Sequence, residues 1–329
     1  MREDLKHINL NAFKLRNGHV QNVSVSYQLY GCTLHTAPII LVNHALTGNS
    51  SVMIWWQQQV GAGKAIDTNK FTVLCMDIPG NGYDGIIEHL IYNYRDWTLG
   101  DVATVFIETL KQLRVCYIHA GIGGSIGGAL LWEMVVQEPE LFNRIMPVAA
   151  DWKATDWVVA CCHVQQAFLE NSSQPVIDAR KHAMTFYRSP ESLKQKFNRE
   201  KANQFKVQNW LDHHGNALKD RFTLPAYKLL NHLLTTTDAA LAHNGNLLQA
   251  LAYCDTHICI VSIDSDGFFV PQEDLETYEL LAQLKSSSHE HILSIHGHDA
   301  FLMEHDQVAA IITYQLQTFE KAHVAKPCY

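Results

Sequence analysis

A glycine-flanked serine is the feature of this sequence with the clearest chemical potential. Ser125 lies in residues 123–127, which read GGSIG. An apolar run predicted to be a buried strand ends near Ala120, and a helical pattern begins near Gly128. A sharp turn between strand and helix exposes such a serine and surrounds it with backbone N–H groups that stabilise a developing negative charge. Ser125 is therefore predicted to be the nucleophile of an acyl-transfer reaction.

A glycine-rich turn also occurs in dinucleotide-binding proteins, and a serine there can be a bystander. The spacing GxGxxG fails from Gly121, because Ile126 occupies the last glycine position. The sequence also lacks a suitable acidic residue about twenty positions further on. The nucleophile interpretation is therefore favoured over a dinucleotide loop.

Candidate partners for the serine follow two later strand patterns. Asp264 and Asp266 come after the apolar run 258–263, and His296 and His298 come after 292–295. This order of serine, acid and histidine is that of α/β-hydrolases, in which all three follow strands at one edge of a sheet. The spacing alone does not choose between the two acids or between the two histidines. A capping role for the acids, a surface loop or half of a metal site are the alternatives, but no ligand spacing predicts a metal.

The surrounding pattern predicts the elements that position these residues. Residues 23–29 alternate polar and apolar side chains, which is typical of antiparallel edge strands. Short solid apolar runs, typical of strands buried on both faces of a parallel sheet, follow at 39–42, 71–75, 115–118, 145–148 and 258–261. Helical patterns at 102–113 and 129–138 separate some of them. The sequence predicts an α/β fold with a doubly wound, mostly parallel sheet in residues 1–150 and 251–329, and a helical cap inserted at 151–250.

Composition excludes several function classes. The 329 residues carry a net charge of −8, which argues against a nucleic-acid partner. No apolar stretch reaches the roughly eighteen residues of a membrane span, and the charged start Met1 to Lys6 does not resemble a secretory signal. The eight cysteines show no zinc spacing. These features predict a reduced, cytoplasmic protein with no membrane partner.

Several segments together resemble homoserine O-acetyltransferases, the serine-dependent acyltransferases of methionine biosynthesis. The segments read NHALTG at 43–48, WW at 55–56, GAGKAIDT at 61–68, SIGG at 125–128 and GHDAFL at 297–302. The likeness extends from about residue 20 to 320. It implies the α/β-hydrolase fold and transfer of an acetyl group from acetyl-CoA, as co-substrate and without a bound cofactor, to the hydroxyl of homoserine.

The resemblance also implies roles for individual residues. It selects Asp266 as the acid and His298 as the base for Ser125, and backbone N–H groups of Leu46 and Ile126 form the expected oxyanion hole. Arg180 is expected to hold the substrate carboxylate, Asp299 its amino group, and Tyr187 to line the same pocket. In the ping-pong scheme that follows, His298 activates first Ser125 and then the acceptor hydroxyl. Apolar faces of the cap are expected to support a homodimer.

Two segments depart from the family pattern, and they keep alternatives open. Residues 77–86 read DIPGNGYDGI where the family has GSTGP, and the segment 170–175 is shorter than the usual loop. The alternatives are a serine esterase that uses water as acceptor, a succinyl donor, and another hydroxy amino acid as acceptor. The remaining alternative is a catalytically silent binding protein of the same fold.

Overall fold

An eight-stranded sheet forms the centre of the computed structural model, which describes residues 4–282 and 286–317. The ends of the predicted core, residues 1–3 and 318–329, lie outside the described residues. The first half of the chain contributes the strands β1 (Lys6–Lys14), β2 (Val20–Gly31), β3 (Ile39–Asn43), β4 (Val60–Gly61), β5 (Ile66–Asp67), β6 (Thr72–Met76), β7 (Ala120–Gly124) and β8 (Arg144–Val148). The helices interspersed with them are α1 (Val52–Trp55), α2 (Leu99–Gln112) and α3 (Ile126–Gln137), with 3₁₀ turns at Ile87–His89 and Tyr94–Asp96.

The second half begins with helices and then returns to the sheet. The helices after β8 are α4 (Asp156–Asn171), α5 (Pro175–Tyr187), α6 (Pro190–Phe197), α7 (Lys206–Lys219), α8 (Leu224–Thr235) and α9 (Leu247–Ala250), with a 3₁₀ turn at Leu241–His243. The last described elements are β9 (His257–Ile263), α10 (Pro271–Leu281), β10 (Ser287–Ile292), a 3₁₀ helix at Gly297–Leu302 and α11 (His305–Gln317). The helical stretch between β8 and β9 coincides with the segment predicted as a cap, and its status as a separate domain stays a prediction.

The strand order places two loops side by side at the centre of the sheet. The order is β1-β2-β6-β3-β7-β8-β9-β10, in which β1 and β2 pair antiparallel and β2 pairs antiparallel with β6. All pairs from β6 to β10 are parallel. The predicted fold class is thereby confirmed, including the antiparallel edge. Because the winding direction reverses between β3 and β7, the loops after these two strands flank the crevice where α/β sheets bind ligands.

The strand that carries the nucleophile differs from the prediction. The apolar run 115–118 was expected to form it, but β7 begins at Ala120 and consists mainly of glycine. A Cβ on Gly121 would lie 2.7 Å from a Leu131 methyl group, and one on Gly123 would lie 2.4 Å from the backbone of Gly127. Helix α3 packs so close to β7 that side chains do not fit there, so close packing decided the strand position against intrinsic β-propensity.

Both faces of the sheet are covered, as the solid apolar runs predicted. Ile40 and Val42 of β3 pack on one face with Ile312 of α11, whereas Leu41 packs on the other face with residues of α2 and α3. Helices α2 and α3 each begin three residues before their predicted starts at 102 and 129. For α2 the reason is a capping box, in which the Thr98 hydroxyl accepts from the Asp101 N–H and the Asp101 carboxylate accepts from the Thr98 N–H. In the part of the chain that the structure describes, no helix is long and apolar enough to cross a membrane.

Candidate active site

Ser125 occupies a strained turn between β7 and α3. Its φ of 58° and ψ of −131° lie in a region that side-chain-bearing residues rarely adopt. The turn is held because the Ser125 N–H donates to the Val148 carbonyl at 2.9 Å. A Cβ on Gly127 would lie 2.5 Å from the Asn43 carbonyl oxygen, so only glycine fits there beside the loop that follows β3. This is the geometry of a nucleophile elbow, with the serine 3% exposed.

His298 and Asp266 form a buried hydrogen-bonded pair. The Nδ1–H of His298 donates to Oδ2 of Asp266 at 2.7 Å. The other carboxylate oxygen accepts from the backbone N–H groups of Phe268 at 2.7 Å and Phe269 at 3.0 Å, which fixes its orientation. Because Nδ1 donates to the carboxylate, Nε2 remains available to accept a proton. This arrangement suits a general base that a carboxylate orients.

The neighbouring acid and histidine have other partners. Asp264 Oδ1 accepts from the Ser294 N–H at 2.8 Å. His296 Nδ1 lies 3.1 Å from the Ser192 hydroxyl and 3.1 Å from the Arg188 guanidinium. The structure therefore brings together Asp266 and His298, which the resemblance had selected, and gives Asp264 and His296 other partners.

Aromatic rings link the histidine to the serine strand. A Cβ on Gly124, the residue before the nucleophile, would lie 2.5 Å from the Phe301 ring, and the centre of that ring lies 5.7 Å from the His298 ring. Tyr187, Phe268 and Phe269 also place ring centres within 5.3–5.5 Å of the imidazole. This apolar cage excludes water around the base and so strengthens electrostatic interactions there.

The loop after β3 is fixed by a buried histidine. His44 Nδ1–H donates to the Ala45 carbonyl at 2.8 Å, and Nε2 accepts from the Ile78 N–H at 3.0 Å. Burial lowers the pKa of His44, which keeps the ring neutral in this tautomer. A turn closed by the Gly48 N–H and the Ala45 carbonyl at 2.7 Å contains Leu46. Leu46 therefore belongs to a rigid loop beside the serine turn, as an oxyanion donor requires.

Ile126, the second predicted oxyanion donor, is the first residue of α3. The first four N–H groups of a helix have no partner within the helix and carry partial positive charge. The Asn43 side chain joins the two donor segments by donating to the Gly127 carbonyl at 3.2 Å. The Leu46 and Ile126 segments thus contact each other across the strand switch.

Asp77, which the sequence analysis did not single out, supports the same loop. Its carboxylate accepts from the Ser50 N–H at 2.7 Å, from the Ser50 hydroxyl at 2.8 Å and from the Ser26 hydroxyl at 2.7 Å. The Asn81 amide donates to it at 3.1 Å, and Tyr83 contacts the Ser51 hydroxyl. The segment 77–86, which departs from the family pattern, therefore supports the loop after β3. No local sequence signal marks this role, because the partners lie far apart along the chain.

Arg180, Tyr187 and Asp299 lie near His298. The Arg180 guanidinium is 5.6 Å from the centre of the Tyr187 ring, and that ring is 5.4 Å from His298. Gly297 allows this approach, because a Cβ there would lie 2.8 Å from the Tyr187 carbonyl oxygen. Burial raises the pKa of Asp299, and the charges of Arg180 and His298 partly oppose that rise. Within the described residues Arg180 forms no ion pair, so its charge is available to a ligand.

A small cavity lies between the loop after β3 and the helices α4, α5 and α8. Leu46 and Tyr187 line it together with Gln165, Tyr227 and Phe268. Burial raises the pKa of both tyrosines, which therefore remain neutral donors or acceptors. The side-chain amide oxygen of Gln165, Oε1, is buried and has no hydrogen-bond partner among the described residues. Sequence reasoning missed Gln165 and Tyr227, because each reads as one more residue of an amphipathic helix.

Arg221 is a second cation near Arg180, and sequence reasoning missed it. It lies in the short connection between α7 and α8, and its guanidinium donates to the Thr47 carbonyl in the loop after β3 at 2.8 Å. Partial burial and the nearby Arg180 charge lower the pKa of Arg221. The two guanidinium groups are therefore close enough to repel each other, and their combined positive charge attracts anions.

Two buried acids lie near Asp266. Burial raises the pKa of Asp151, and the charges of Glu273 and Asp266 raise it further. Burial likewise raises the pKa of Asp274, with Asp151 as the next cause. One oxygen of each carboxyl is buried without a partner among the described residues. Their ionised forms are therefore costly in the folded protein.

Comparison with known proteins agrees with this architecture. Residues 38–305 match the family model described as the alpha/beta hydrolase fold. A homoserine O-acetyltransferase of Mesorhizobium japonicum is 30% identical over 335 residues, covering 88% of this chain and 86% of its own. The structure of esterase E22 in its L374D mutant form superposes with a TM-score of 0.85 at 19% identity, covering 95% of this chain and 99% of its own.

A solved homoserine O-acetyltransferase from Staphylococcus aureus also shares the fold. Its TM-score is 0.80 at 20% identity, and the match covers 97% of each chain. Since both an esterase and an acyltransferase superpose so well, the fold alone does not distinguish hydrolysis from transfer. The family model and the sequence relative together show that this enzyme belongs to the homoserine O-acetyltransferase family of the α/β-hydrolase fold.

Proposed function

We propose that this enzyme transfers the acetyl group of acetyl-CoA to the hydroxyl of homoserine through an acyl-serine intermediate. One observation carries the proposal: the Arg180 guanidinium lies over the Tyr187 ring that packs on His298, and its charge acts on the carboxyl of Asp299, the next residue after that histidine. A small amino acid brings a carboxylate and an ammonium group, which match these two charges. A neutral ester carries no charged groups that would match such a pair.

In the first half-reaction Ser125 attacks the thioester carbonyl. His298 Nε2 removes the hydroxyl proton, and Asp266 stabilises the imidazolium that forms. The negative oxygen of the tetrahedral intermediate accepts from the N–H groups of Leu46 and Ile126. The carbon–sulfur bond then breaks, His298 returns the proton to the thiolate, and coenzyme A leaves an acetylated Ser125.

In the second half-reaction the acceptor takes the place of the thiol. Arg180 binds the homoserine carboxylate and Asp299 its ammonium group, so the side-chain hydroxyl faces His298. The base removes the hydroxyl proton, the oxygen attacks the acetyl carbon, and the proton returns to the Ser125 oxygen. An ammonium beside Asp299 favours the ionised carboxylate and so offsets the effect of burial on its pKa.

Transfer must outcompete hydrolysis, and the surroundings of the serine support this. Ser125 and His298 are each 3% exposed. Tyr187 of α5 and Phe268 pack on the His298 imidazole. A dry site leaves water at low concentration, whereas a bound acceptor has a high effective concentration. Water as acceptor, a succinyl donor and another hydroxy amino acid remain the rival assignments.

The donor also carries phosphates, which favour a cation near the mouth of the site. Arg221 fits this role, because its side chain is partly exposed and its guanidinium donates to the Thr47 carbonyl in the loop after β3. A CoA thioester whose acyl end reaches Ser125 places its charged portion outside the buried cavity. Arg221 then contributes to affinity for the donor rather than to chemistry.

Assembly and location complete the proposal. Trp157 and Val164 lie seven residues apart on one side of α4 and are both exposed, which supports a homodimer formed through the cap. A Val164→Glu variant is expected to elute as a monomer in size-exclusion chromatography with light scattering. A cytoplasmic location fits the CoA donor.

The covalent intermediate provides the test. The enzyme is mixed with acetyl-CoA without acceptor, quenched within one turnover and analysed by intact-protein and peptide mass spectrometry. The proposal expects one acetyl group on Ser125, absent in Ser125→Ala, that homoserine discharges as O-acetylhomoserine. Discharge at the same rate by buffer alone would show a hydrolase and overturn the proposal.

A further inference from the structure

A cluster of two histidines and an aspartate lies at the edge of the sheet, away from the catalytic residues. His7 belongs to β1, whereas Asp84 and His89 lie in and after the segment that departs from the family pattern. His89 Nδ1 is 2.5 Å and His7 Nε2 is 3.5 Å from the same oxygen, Asp84 Oδ2. The three potential ligand atoms all lie within 4.8 Å of one another. Segments separated by more than seventy residues thus converge on one point.

From this convergence we propose that His7, Asp84 and His89 bind a divalent transition-metal ion of the zinc type. Imidazole nitrogens with one carboxylate oxygen form the ligand set that such ions prefer, whereas magnesium and calcium prefer oxygen alone. In a tetrahedral zinc site, bonds of about 2.0–2.2 Å place ligand atoms roughly 3.3–3.6 Å apart. The His7 contact has this length, and a small rotation of His89 opens the shorter one.

The ligands are positioned and accessible. Asp84 Oδ1 accepts from the Ile86 N–H at 3.0 Å, which orients the carboxylate and leaves Oδ2 for the ion. The Asp84 side chain is 8% exposed, and each histidine side chain is 27% exposed. An ion can therefore enter from solvent and complete its coordination with water.

Metal at this point acts on the loop that supports the oxyanion hole. Asp84 directly follows Tyr83, whose hydroxyl contacts Ser51. His7 pairs in the sheet with Ser26, whose hydroxyl donates to Asp77. An ion bound by both His7 and Asp84 thus links the edge strand β1 to the segment 77–86, in addition to the Ser26–Asp77 hydrogen bond. We assign it a stabilising role, with no part in the chemistry at Ser125.

Direct binding tests the site without reference to acetyl transfer. The full chain, freed of any affinity tag and treated with a chelator, is titrated with Zn²⁺ by calorimetry and with Co²⁺ by visible absorption. We expect one equivalent of each ion to bind, the Co²⁺ complex to show d–d bands of a low-coordinate site, and Zn²⁺ to raise Tm. His89→Ala and His7→Ala are expected to weaken binding by roughly tenfold or more.

Matched variants separate this site from casual binding at surface histidines. Asp84→Asn keeps an acceptor for the Ile86 N–H but loses the anionic ligand, so we expect weaker binding with an unchanged Tm of the metal-free protein. His19→Ala is the control, because His19 also lies beside a carboxylate, 3.8 Å from Asp96, but outside the cluster. Zn²⁺ binding that is unaffected in His89→Ala and Asp84→Asn, or equally weakened in His19→Ala, would overturn the proposal.

Discussion

Replacing Arg180 by alanine should impair the acceptor half-reaction and spare the donor half-reaction. The guanidinium is half-buried, forms no ion pair among the described residues and lies 5.6 Å from the Tyr187 ring centre. Loss of one partner from a desolvated charge pair costs about 2–5 kcal/mol of binding free energy. Because Arg180 is partly exposed, we expect its removal to cost about 2–3 kcal/mol. We therefore expect kcat/KM for homoserine to fall roughly 30- to 150-fold in Arg180→Ala.

The assay follows release of the CoA thiol at varied homoserine, together with single-turnover acetylation of Ser125 without acceptor. Acetylation should proceed at the wild-type rate. Arg180→Lys keeps the charge but loses the planar fork, so it should fall between the two proteins. Losing the contact with Tyr187 removes about 0.5–1 kcal/mol of stability, too little to unfold the protein. An unchanged kcat/KM for homoserine, or an equal loss in Ser125 acetylation, would refute the assigned role.

Three further predictions concern the catalytic pair, the serine turn and the buried acids. Asp266→Asn should lower kcat by about 10⁴-fold in the thiol-release assay, because the His298 tautomer is no longer fixed; wild-type turnover would contradict the pairing. Ser125→Gly should unfold at higher temperature than Ser125→Ala by about 2 °C, since glycine relieves strain at φ 58° that alanine retains; equal Tm values would argue against a strained turn. Because burial raises the pKa of Asp151, the unfolded state ionises first and stability is lost as pH rises above about 4. Asp151→Asn should therefore have a Tm about 2–4 °C above wild type at neutral pH, and that difference in Tm should vanish at about pH 4. A difference in Tm that does not depend on pH would show another cause.

The sequence was most informative where chemistry and backbone geometry require particular residues. Ser125 needs glycines on both sides, because α3 and the loop after β3 leave no room for side chains. The order of serine, acid and histidine follows from strands that end at one edge of a parallel sheet. The pairing of Asp266 with His298, rather than Asp264 with His296, came from the family resemblance, and only the structure shows the hydrogen bond that joins them.

The remaining features depend on contacts between distant parts of the chain. Val115 to Ile118 looked more like a strand than the glycine-rich β7, and the packing of α3 decided otherwise. Arg221 reaches Thr47, and Asp77 reaches Ser50, across separations that no local pattern encodes. The convergence of His7 with Asp84 likewise exists only once β1 is folded against the sheet.

Acceptor dependence of thiol release tests the central claim most directly. The enzyme is incubated with acetyl-CoA and, in parallel, with homoserine, serine, other small hydroxy amino acids or buffer alone, and free thiol and products are measured. The account predicts that steady thiol release requires homoserine and yields O-acetylhomoserine in equal amount, with little turnover in buffer. Thiol release at the full rate without any acceptor would contradict it and identify the enzyme as a hydrolase.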